Sequence, residues 1–212
     1  MIAVVDYHKG NLKSVERGLI GVGGDARITD DVNAIAQADA IVLPGVGAFA
    51  DAMNSMNQLG QSKVLCERIA AGVPFLGICL GLHLLYEAGE EHSTDNPTKG
   101  LGVIPGTVGA LPKADMRGNP FKIPHVGWNN VDYLSQRPNP LFDGIDDHEF
   151  FYFTHSYAAP PSCETIATTT HSITFPSVVQ VNPTCFAVQF HPEKSSDAGA
   201  RLLANFVAIA GK

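Results

Sequence analysis

Short apolar runs alternate with helical patterns through residues 1–90 of the chain. Four apolar runs have the length of a buried strand and lie at 2–5, 26–29, 40–43 and 73–76. Apolar residues spaced three and four apart predict helices at 12–20 and at 80–87, and 62–71 reads as a further helix. This alternation predicts an α/β fold with a mostly parallel sheet, helices on both faces, and ligands bound beyond the carboxyl ends of the strands.

The pattern changes in the second half of the chain, where strands follow one another without helices. Residues 89–118 are polar and rich in glycine and proline, which predicts loops and short hairpin strands. Further strands are predicted at 123–131, 150–157, 165–170, 178–181 and 185–190. They predict an added antiparallel region, followed by an amphipathic helix at 197–209. No linker or repeat divides the chain, so residues 1–212 are expected to form one domain.

The charge, hydropathy and cysteine content of the chain argue against several classes of protein. A net charge of −7 and a pI near 5.5 argue against nucleic-acid binding, because such proteins carry clustered Lys and Arg. No apolar run reaches the roughly 18 residues of a membrane span, and the first residues do not resemble a signal peptide. The four cysteines include no Cys-x-x-Cys pair, which favours neither zinc nor a disulfide framework. We therefore expect a soluble protein of the reducing cytoplasm.

Cys79 lies where a predicted strand passes into a predicted helix, within Gly-Ile-Cys-Leu-Gly at 77–81. Glycines two residues to either side remove Cβ atoms that would clash in a tight turn, as in the nucleophile elbow of serine hydrolases. A helix start also stabilises a thiolate and can hold an oxyanion. Cys79 is thus a candidate nucleophile, although a buried structural cysteine beside a turn is the alternative that this segment alone leaves open.

A histidine and a glutamate near the chain end supply what a cysteine nucleophile needs. His191 stands at the end of an alternating strand, and Pro192 prevents that strand from continuing. Glu193 can then turn back to the imidazole and orient it, as the third member of a catalytic triad does. A surface turn without function is the alternative for this tripeptide considered alone.

The other histidines fall into two groups. Four lie in polar or turn contexts, where we expect solvated side chains: His8, His92, His148 and His171. His83, His125 and His155 lie beside apolar residues and can be core groups, pocket groups or metal ligands. Their spacing matches no metal motif, so no metal site is predicted.

Three segments, in the same order along the chain, resemble the triad-type glutamine amidotransferases. They are 44–49 (Pro-Gly-Val-Gly-Ala-Phe), 77–81, and 189–195 (Gln-Phe-His-Pro-Glu-Lys-Ser). Within that family, the segments at 6–12, 124–129 (Pro-His-Val-Gly-Trp-Asn) and 153–157 (Phe-Thr-His-Ser-Tyr) resemble one branch, the glutaminase subunits of imidazole glycerol phosphate synthase.

The resemblance implies a glutaminase with a flavodoxin-like fold. Such an enzyme hydrolyses glutamine to glutamate and ammonia without a cofactor. The ammonia would pass to a (β/α)8 cyclase subunit, the partner in a heterodimer of histidine biosynthesis. Cys79 would be the nucleophile, His191 the proton carrier and Glu193 the residue that orients it. The implied oxyanion hole uses backbone N–H groups of Leu80 and of Val46 or Gly47. The implied glutamine pocket comprises Gly45, Gly47, His83, His155, Ser156 and Tyr157.

Two positions depart from the family pattern. His83 replaces a glutamine that contacts substrate, and His8 and Lys9 occupy a loop that usually carries a small residue. A neutral imidazole offers a donor and an acceptor, as an amide does, so His83 is expected to face the crevice. An imidazole packed into the helix face without touching substrate is the alternative.

Three other functions stay open on the sequence. They are a glutaminase of another ammonia-using synthase, a non-catalytic binding protein on the same fold, and a stand-alone cysteine peptidase. Copurification with a (β/α)8 partner, reactivity of Cys79 toward a glutamine-analogue alkylating agent, and peptide cleavage would separate them.

Overall fold

An eight-stranded sheet runs through the centre of the computed structural model, which describes residues 1–92, 96–134 and 139–211. In chain order the strands are β1 (Ile2–Val5), β2 (Ala26–Thr29), β3 (Ala40–Gly45), β4 (Phe75–Cys79), β5 (Tyr86–Gly89), β6 (Thr98–Lys99), β7 (Ile104–Ala110), β8 (His125–Asn130), β9 (Asp132–Tyr133), β10 (Phe150–His155), β11 (Tyr157–Ala158), β12 (Thr165–Thr170), β13 (Thr174–Asn182) and β14 (Cys185–Val188). The helices are α1 (Leu12–Gly21), α2 (Val32–Gln37), α3 (Phe49–Gln58), α4 (Gln61–Ala70), α5 (Leu80–Leu84) and α6 (Ser196–Ala210), with short 3₁₀ turns at Pro140–Phe142 and Pro192–Lys194.

The central sheet has the strand order β2-β1-β3-β4-β14-β13-β12-β9. Its pairs are parallel from β2 to β14 and antiparallel from β14 to β9. A four-stranded sheet, β11-β7-β5-β6, and the antiparallel pair β10-β8 stand apart from it. The predicted α/β architecture, mostly parallel with an added antiparallel region, is confirmed.

Both faces of the central sheet are buried under helices. Along β1, Ile2 and Val4 belong to the apolar cluster that includes Leu203 of α6. The alternate residues, with Val5 among them, belong to the cluster that includes Leu65 of α4. Successive side chains of a strand point to opposite faces, so one apolar strand contributes to two cores. Complete burial of each such side chain stabilises the fold by about 1.5–3 kcal/mol.

The helix predicted at 80–87 is wrong beyond its first five residues. Helix α5 ends at Leu84, and Tyr86 begins strand β5, which pairs in parallel with β7. Leu84, Leu85 and Tyr86 are all fully buried. A continuous apolar run of this kind suits a buried helix and a buried strand equally well, so periodicity does not separate them.

The strand predicted at 150–157 is divided in two. Residue Ser156 lies between β10, which pairs with β8, and β11, which pairs with β7. The chain therefore changes sheet at Ser156. The end of β10 lies beside the carboxyl end of β4, where the carbonyl oxygen of Thr154 is 3.9 Å from Sγ of Cys79.

The remaining differences concern element bounds. The pattern does not single out α2 or α3, and β13 begins at Thr174, several residues before the predicted 178–181. The predicted loop region at 89–118 contains β6 and β7, while residues 93–95 of it lie outside the described residues. No helix in the described part of the chain is both long and apolar enough to cross a bilayer.

Candidate active site

Cys79 occupies a strained turn between β4 and α5. It ends the strand with a φ of 54° and is almost completely buried. A Cβ on Gly81 would lie 1.9 Å from the carbonyl oxygen of Leu43, and one on Gly77 would lie 2.8 Å from that of Gly81. Glycine is therefore required at both positions. A positive φ at a residue other than glycine costs on the order of 1–3 kcal/mol, and such residues cluster at active sites and ligand clamps.

His191 and Glu193 form a buried pair. The Nδ1 atom of His191 lies 2.9 Å from Oε1 of Glu193, and the two side chains are 3% and 1% exposed. The 3₁₀ turn Pro192–Lys194 brings the glutamate back to the ring, and the backbone N–H of His191 donates to the carbonyl of Tyr152. Among the described residues, Nε2 of His191 has no hydrogen-bond partner. Glu193 thus holds Nδ1 in a hydrogen bond, while Nε2 could exchange a proton with another group.

The imidazole of His191 is tuned toward its charged form. Burial alone would lower the pKa of His191. The side chains of Cys79 and Glu193 raise the pKa by more than burial lowers it, and they bring it to about 9. The Cys79 side chain therefore lies close enough to act on the ring, although no contact between Sγ and Nε2 has hydrogen-bond geometry. Below about pH 9 the site favours an imidazolium beside the sulfur.

A cavity of about 470 Å³ opens at Cys79. Most of the residues predicted from the sequence line it, namely Val46, Gly47, Cys79, Leu80, His83, His155, Ser156 and Tyr157. The lining does not include His191, Glu193 or Gly45. The structure thus brings most of the predicted pocket residues around the sulfur, while His191 and Glu193 lie outside the cavity lining.

Two glycines at the end of β3 and just after it, Gly45 and Gly47, have different structural roles. A Cβ on Gly45 would lie 2.2 Å from the hydroxyl of Tyr7 and 2.9 Å from Leu80, so close packing excludes a side chain there. Gly47 has a φ of 100° and open space around it, so its conformation is what requires glycine. Gly45 therefore allows close packing of Tyr7 and Leu80 outside the cavity lining, while Gly47 lines the cavity.

His83 faces the cavity and also contacts a residue that the sequence analysis does not assign. Its Nε2 lies 2.7 Å from Oε1 of Gln189, and Nε2 of Gln189 lies 3.8 Å from Sγ of Cys79. Burial lowers the pKa of His83 to about 4, so the ring is neutral at physiological pH. Gln189 lies two residues before His191 in an alternating strand, and that spacing is the signal available for placing it on the same face.

A second chain of hydrogen bonds holds the cavity wall. Nδ1 of His155 donates to the carbonyl of Tyr157, which leaves Nε2 of His155 to accept from Nδ1 of His125 at 2.9 Å. Nδ2 of Asn129 then lies 3.2 Å from the remaining nitrogen of His125. Burial lowers the pKa of His125 to about 4 and that of His155 to about 3, so both rings are neutral.

His171 corrects the expectation of a solvated side chain. Its ring stacks on that of His125 at a centroid distance of 4.2 Å, and its Nε2 lies 2.9 Å from the carbonyl oxygen of Lys122. It follows β12 in a turn whose sequence gives no sign of this packing. In the part of the chain that the structure describes, no group of three or more His, Cys, Asp or Glu side chains could hold a metal ion.

Glu91 and Thr154 also line the cavity and are not predicted from the sequence. Oε2 of Glu91 accepts a hydrogen bond of 2.9 Å from the backbone N–H of Phe49, the first residue of α3. The carbonyl oxygen of Thr154 lies 3.9 Å from Sγ of Cys79. Neither residue carries a distinctive sequence signal, because one lies in a polar loop and the other contacts the sulfur through its backbone.

Comparison with known proteins gives matches over nearly the whole chain. A family model described as glutamine amidotransferase class-I matches residues 3–210. A curated relative from Syntrophotalea carbinolica, named imidazole glycerol phosphate synthase subunit HisH, is 45% identical over 210 residues and covers 97% of this chain and 98% of its own length. A relative of the same name from Chloroflexus aurantiacus is 47% identical over 210 residues, with 98% and 95% covered.

Solved structures resemble the fold at lower identity. A crystal structure of a glutamine amidotransferase superposes with a TM-score of 0.73 at 18% identity and covers all of both chains. The glutaminase domain of the Trypanosoma brucei CTPS, solved with bound acivicin, gives a TM-score of 0.65 at 17% identity, covering 99% of this chain and 93% of that one. Identities this low show a shared fold alone.

Proposed function

Because the chain belongs to the class-I glutamine amidotransferase family, we propose that it hydrolyses glutamine as the glutaminase subunit of an imidazole glycerol phosphate synthase. The observation that carries the proposal is the buried pair of His191 and Glu193 beside a cysteine that is held in a strained turn and lines a cavity. A nucleophile, a base and a group that orients the base are the parts that acyl transfer through a thioester requires.

The first half of the reaction forms the thioester. The thiolate of Cys79 attacks the side-chain amide carbon of glutamine, and the amide oxygen becomes an oxyanion. The imidazolium of His191 then donates a proton to the amide nitrogen, which leaves as ammonia when the carbon–nitrogen bond breaks. Glu193 stabilises the imidazolium and keeps a hydrogen on Nδ1.

The second half regenerates the thiolate. Neutral His191 removes a proton from water as the water oxygen attacks the thioester carbon, and the carbon–sulfur bond breaks to release glutamate. Leu80 is the first residue of α5, so its N–H has no acceptor within the helix and is free to bind an oxyanion. A second donor from Val46 or Gly47 would complete the hole, and each such donor accelerates comparable reactions by about 10²–10³-fold.

An exposed apolar surface beside the cavity supports a partner subunit. Val126, Trp128 and Phe150 are each more than half exposed, on the paired strands β8 and β10. The pairing places Tyr152 opposite Trp128 and Thr154 opposite Val126. Because Thr154 also lines the cavity, this β8–β10 surface continues directly from the site that would release ammonia. Exposed apolar surface of this kind is typical of protein interfaces.

The proposed partner is a (β/α)8 cyclase subunit, bound over the β8–β10 surface so that ammonia enters it without reaching solvent. The proposal includes a heterodimer, an internal path for ammonia, lyase chemistry on the partner, and a cytoplasmic location. In this proposal the partner supplies the acceptor for the ammonia that this chain releases.

The experiment mixes the purified chain with the cyclase subunit from one of the organisms of the curated relatives and supplies the cyclase's acceptor substrate. The proposal expects product with glutamine or with ammonium salt as the nitrogen source. With Cys79→Ala it expects product from ammonium salt alone, because the cyclase chemistry resides on the other chain. Glutamine hydrolysis without any transfer to the acceptor would contradict this partner and favour another ammonia-using synthase.

A further inference from the structure

A fully buried amide, that of Gln189, lies between the sulfur of Cys79 and the ring of His83. Gln189 is 0% exposed and His83 is 5% exposed. Strand β14 runs parallel to β4 with Val188 opposite Ile78, so Gln189 follows at the level of Cys79. The two contacts, 2.7 Å to His83 and 3.8 Å to Cys79, join residues more than a hundred positions apart in sequence.

The nitrogen of His83 that carries the hydrogen determines which end of the amide faces the sulfur. The carbonyl oxygen of Gln189 can only accept, so Nε2 of His83 must carry the hydrogen. The amide NH₂ group is then directed at Cys79. If the hydrogen were on Nδ1 of His83 instead, Nε2 would need a donor, and the amide would turn its carbonyl toward the sulfur.

The two protonation states of the sulfur have different hydrogen-bond partners. A thiol can donate to the carbonyl oxygen of Thr154 at 3.9 Å, whereas a thiolate needs donors. The NH₂ group of Gln189 is such a donor and favours the charged form. A donor held in place in a buried site stabilises charge more than a mobile donor does, because it loses little freedom when the charge forms.

We propose that the amide of Gln189 stabilises the thiolate of Cys79 and that His83 is the positioning residue that keeps the amide in this orientation. The consequence for catalysis rests on the proposed function, in which the thiolate is the attacking species. The inference also gives the histidine at position 83 a task that does not require it to touch substrate.

Other titratable groups lie near the same sulfur. His191, which is paired with Glu193, comes from the segment after β14, Tyr7 from the segment after β1, and His155, which lines the same cavity, from the end of β10. These groups are present in all the variants below, so the test compares variants with one another.

The test measures the rate at which iodoacetamide alkylates Cys79 in the full chain without glutamine, from about pH 5 to about pH 10. Peptide mapping by mass spectrometry assigns the adduct to Cys79. In Gln189→Leu, which lacks the donor, the midpoint of the rate profile is expected to rise by about half a pH unit or more. His83→Leu is expected to move the midpoint in the same direction, and the double variant no further than the larger single change.

Two variants serve as controls. His83→Gln restores a donor for Oε1 of Gln189, so the midpoint is expected to stay near that of the unaltered chain. Ser177→Ala removes a buried hydroxyl from the neighbouring strand β13 and is expected to leave the profile unchanged. A shift in Ser177→Ala equal to that in Gln189→Leu would mean that general packing, not the donor, sets the midpoint.

An unchanged midpoint in Gln189→Leu would overturn the proposal. Should the substitutions prevent folding, nitrogen-15 NMR of the unaltered chain reports which nitrogen of His83 carries the hydrogen. Nε2 is expected, and a hydrogen on Nδ1 would overturn the proposal. Alkylation needs no glutamine, so a shifted midpoint in a chain without glutaminase activity would reject the proposed function alone. Normal glutaminase activity with an unshifted midpoint would reject this inference alone.

Discussion

Nδ1 of His191 lies 2.9 Å from Oε1 of Glu193, and neither side chain has appreciable contact with solvent. A carboxylate can only accept, so Nδ1 carries a hydrogen and Nε2 is the nitrogen that exchanges protons. Pro192, which begins the 3₁₀ turn between them, directs the chain so that two residues only two positions apart can meet. The pair is thus built from local backbone geometry and then buried by the surrounding fold.

Loss of either member of this pair should slow glutamine hydrolysis by different amounts. His191→Ala is expected to lower turnover on the order of 10³-fold or more, because triad residues act as a unit. Glu193→Gln is expected to cost less, since the amide still orients the ring but lacks the charge that stabilises the imidazolium. Glutamate release in the presence of the cyclase partner measures both, with the exposed Cys163→Ser as control. Equal losses below about tenfold would contradict a catalytic role for the pair.

The raised pKa of His191 predicts a loss of stability at alkaline pH. Its pKa rises from 6.5 to about 9 on folding, so the folded chain holds this proton more tightly than the unfolded chain. The stabilisation is fully present below pH 6.5 and is lost as the pH approaches 9, a change on the order of 3 kcal/mol. Urea unfolding of the unaltered chain and of His191→Asn across this range tests it. A variant whose free energy of unfolding falls as steeply as that of the unaltered chain would contradict the assignment.

The buried neutral histidines predict the opposite effect in acid. The pKa of His125 falls from 6.5 to about 4 on folding, so the unfolded chain takes up this proton first as the pH falls. His125 alone should make the free energy of unfolding about 2 kcal/mol lower at pH 5 than at pH 7. His125→Asn should therefore lose less stability than the unaltered chain between pH 7 and pH 5, when each is compared with itself in urea unfolding. An identical loss in both proteins would show that His125 does not remain neutral.

Gly45, which ends β3, and Gly47, which follows it, should respond differently to replacement by alanine. Gly45→Ala is expected to destabilise the fold, because the new methyl group would lie 2.2 Å from the hydroxyl of Tyr7. Tyr7→Phe removes that oxygen and should recover part of the loss in the double variant. Gly47→Ala has space around it but a strained φ, so a stability loss of about 1 kcal/mol with a larger loss of turnover is expected. Melting temperatures and turnover, compared across the four variants, test this contrast.

The β8–β10 surface should govern association with the cyclase subunit. Trp128→Ala is expected to weaken binding by about tenfold or more, because large aromatic side chains dominate interface energies. Turnover without the partner and the melting temperature should change little, since Trp128 is 53% exposed. Met116→Ala, at a fully exposed apolar side chain on another loop, is the matched control. Calorimetric titration would contradict the assigned surface if both variants bound equally well.

The site residues that can be predicted from the sequence are those whose position depends on the conformation of the backbone next to them. Two flanking glycines identify Cys79, and the structure shows that a Cβ at either would meet a backbone oxygen. The proline between His191 and Glu193 identifies that pair. The parallel sheet can be predicted from the alternation of short apolar runs with helices. The runs are apolar throughout because helices cover both faces of the sheet.

What cannot be predicted depends on contacts between distant segments. Gln189 reads as an ordinary polar residue in a strand, and its role depends on Cys79 and His83 meeting it in space. His171 reads as a turn residue, and its packing depends on β8 placing His125 beneath it. The end of α5 depends on β7, whose pairing draws Tyr86 into a strand.

The covalent state of Cys79 during turnover tests the account most directly. The chain is bound to the cyclase partner, supplied with isotopically labelled glutamine, quenched in acid and digested, and the labelled peptides are identified by mass spectrometry. The account predicts a γ-glutamyl group on the peptide that carries Cys79, released by hydroxylamine as thioesters are, and no labelled peptide in Cys79→Ala. A label on any other residue, or glutamine hydrolysis that continues in Cys79→Ala, would contradict it.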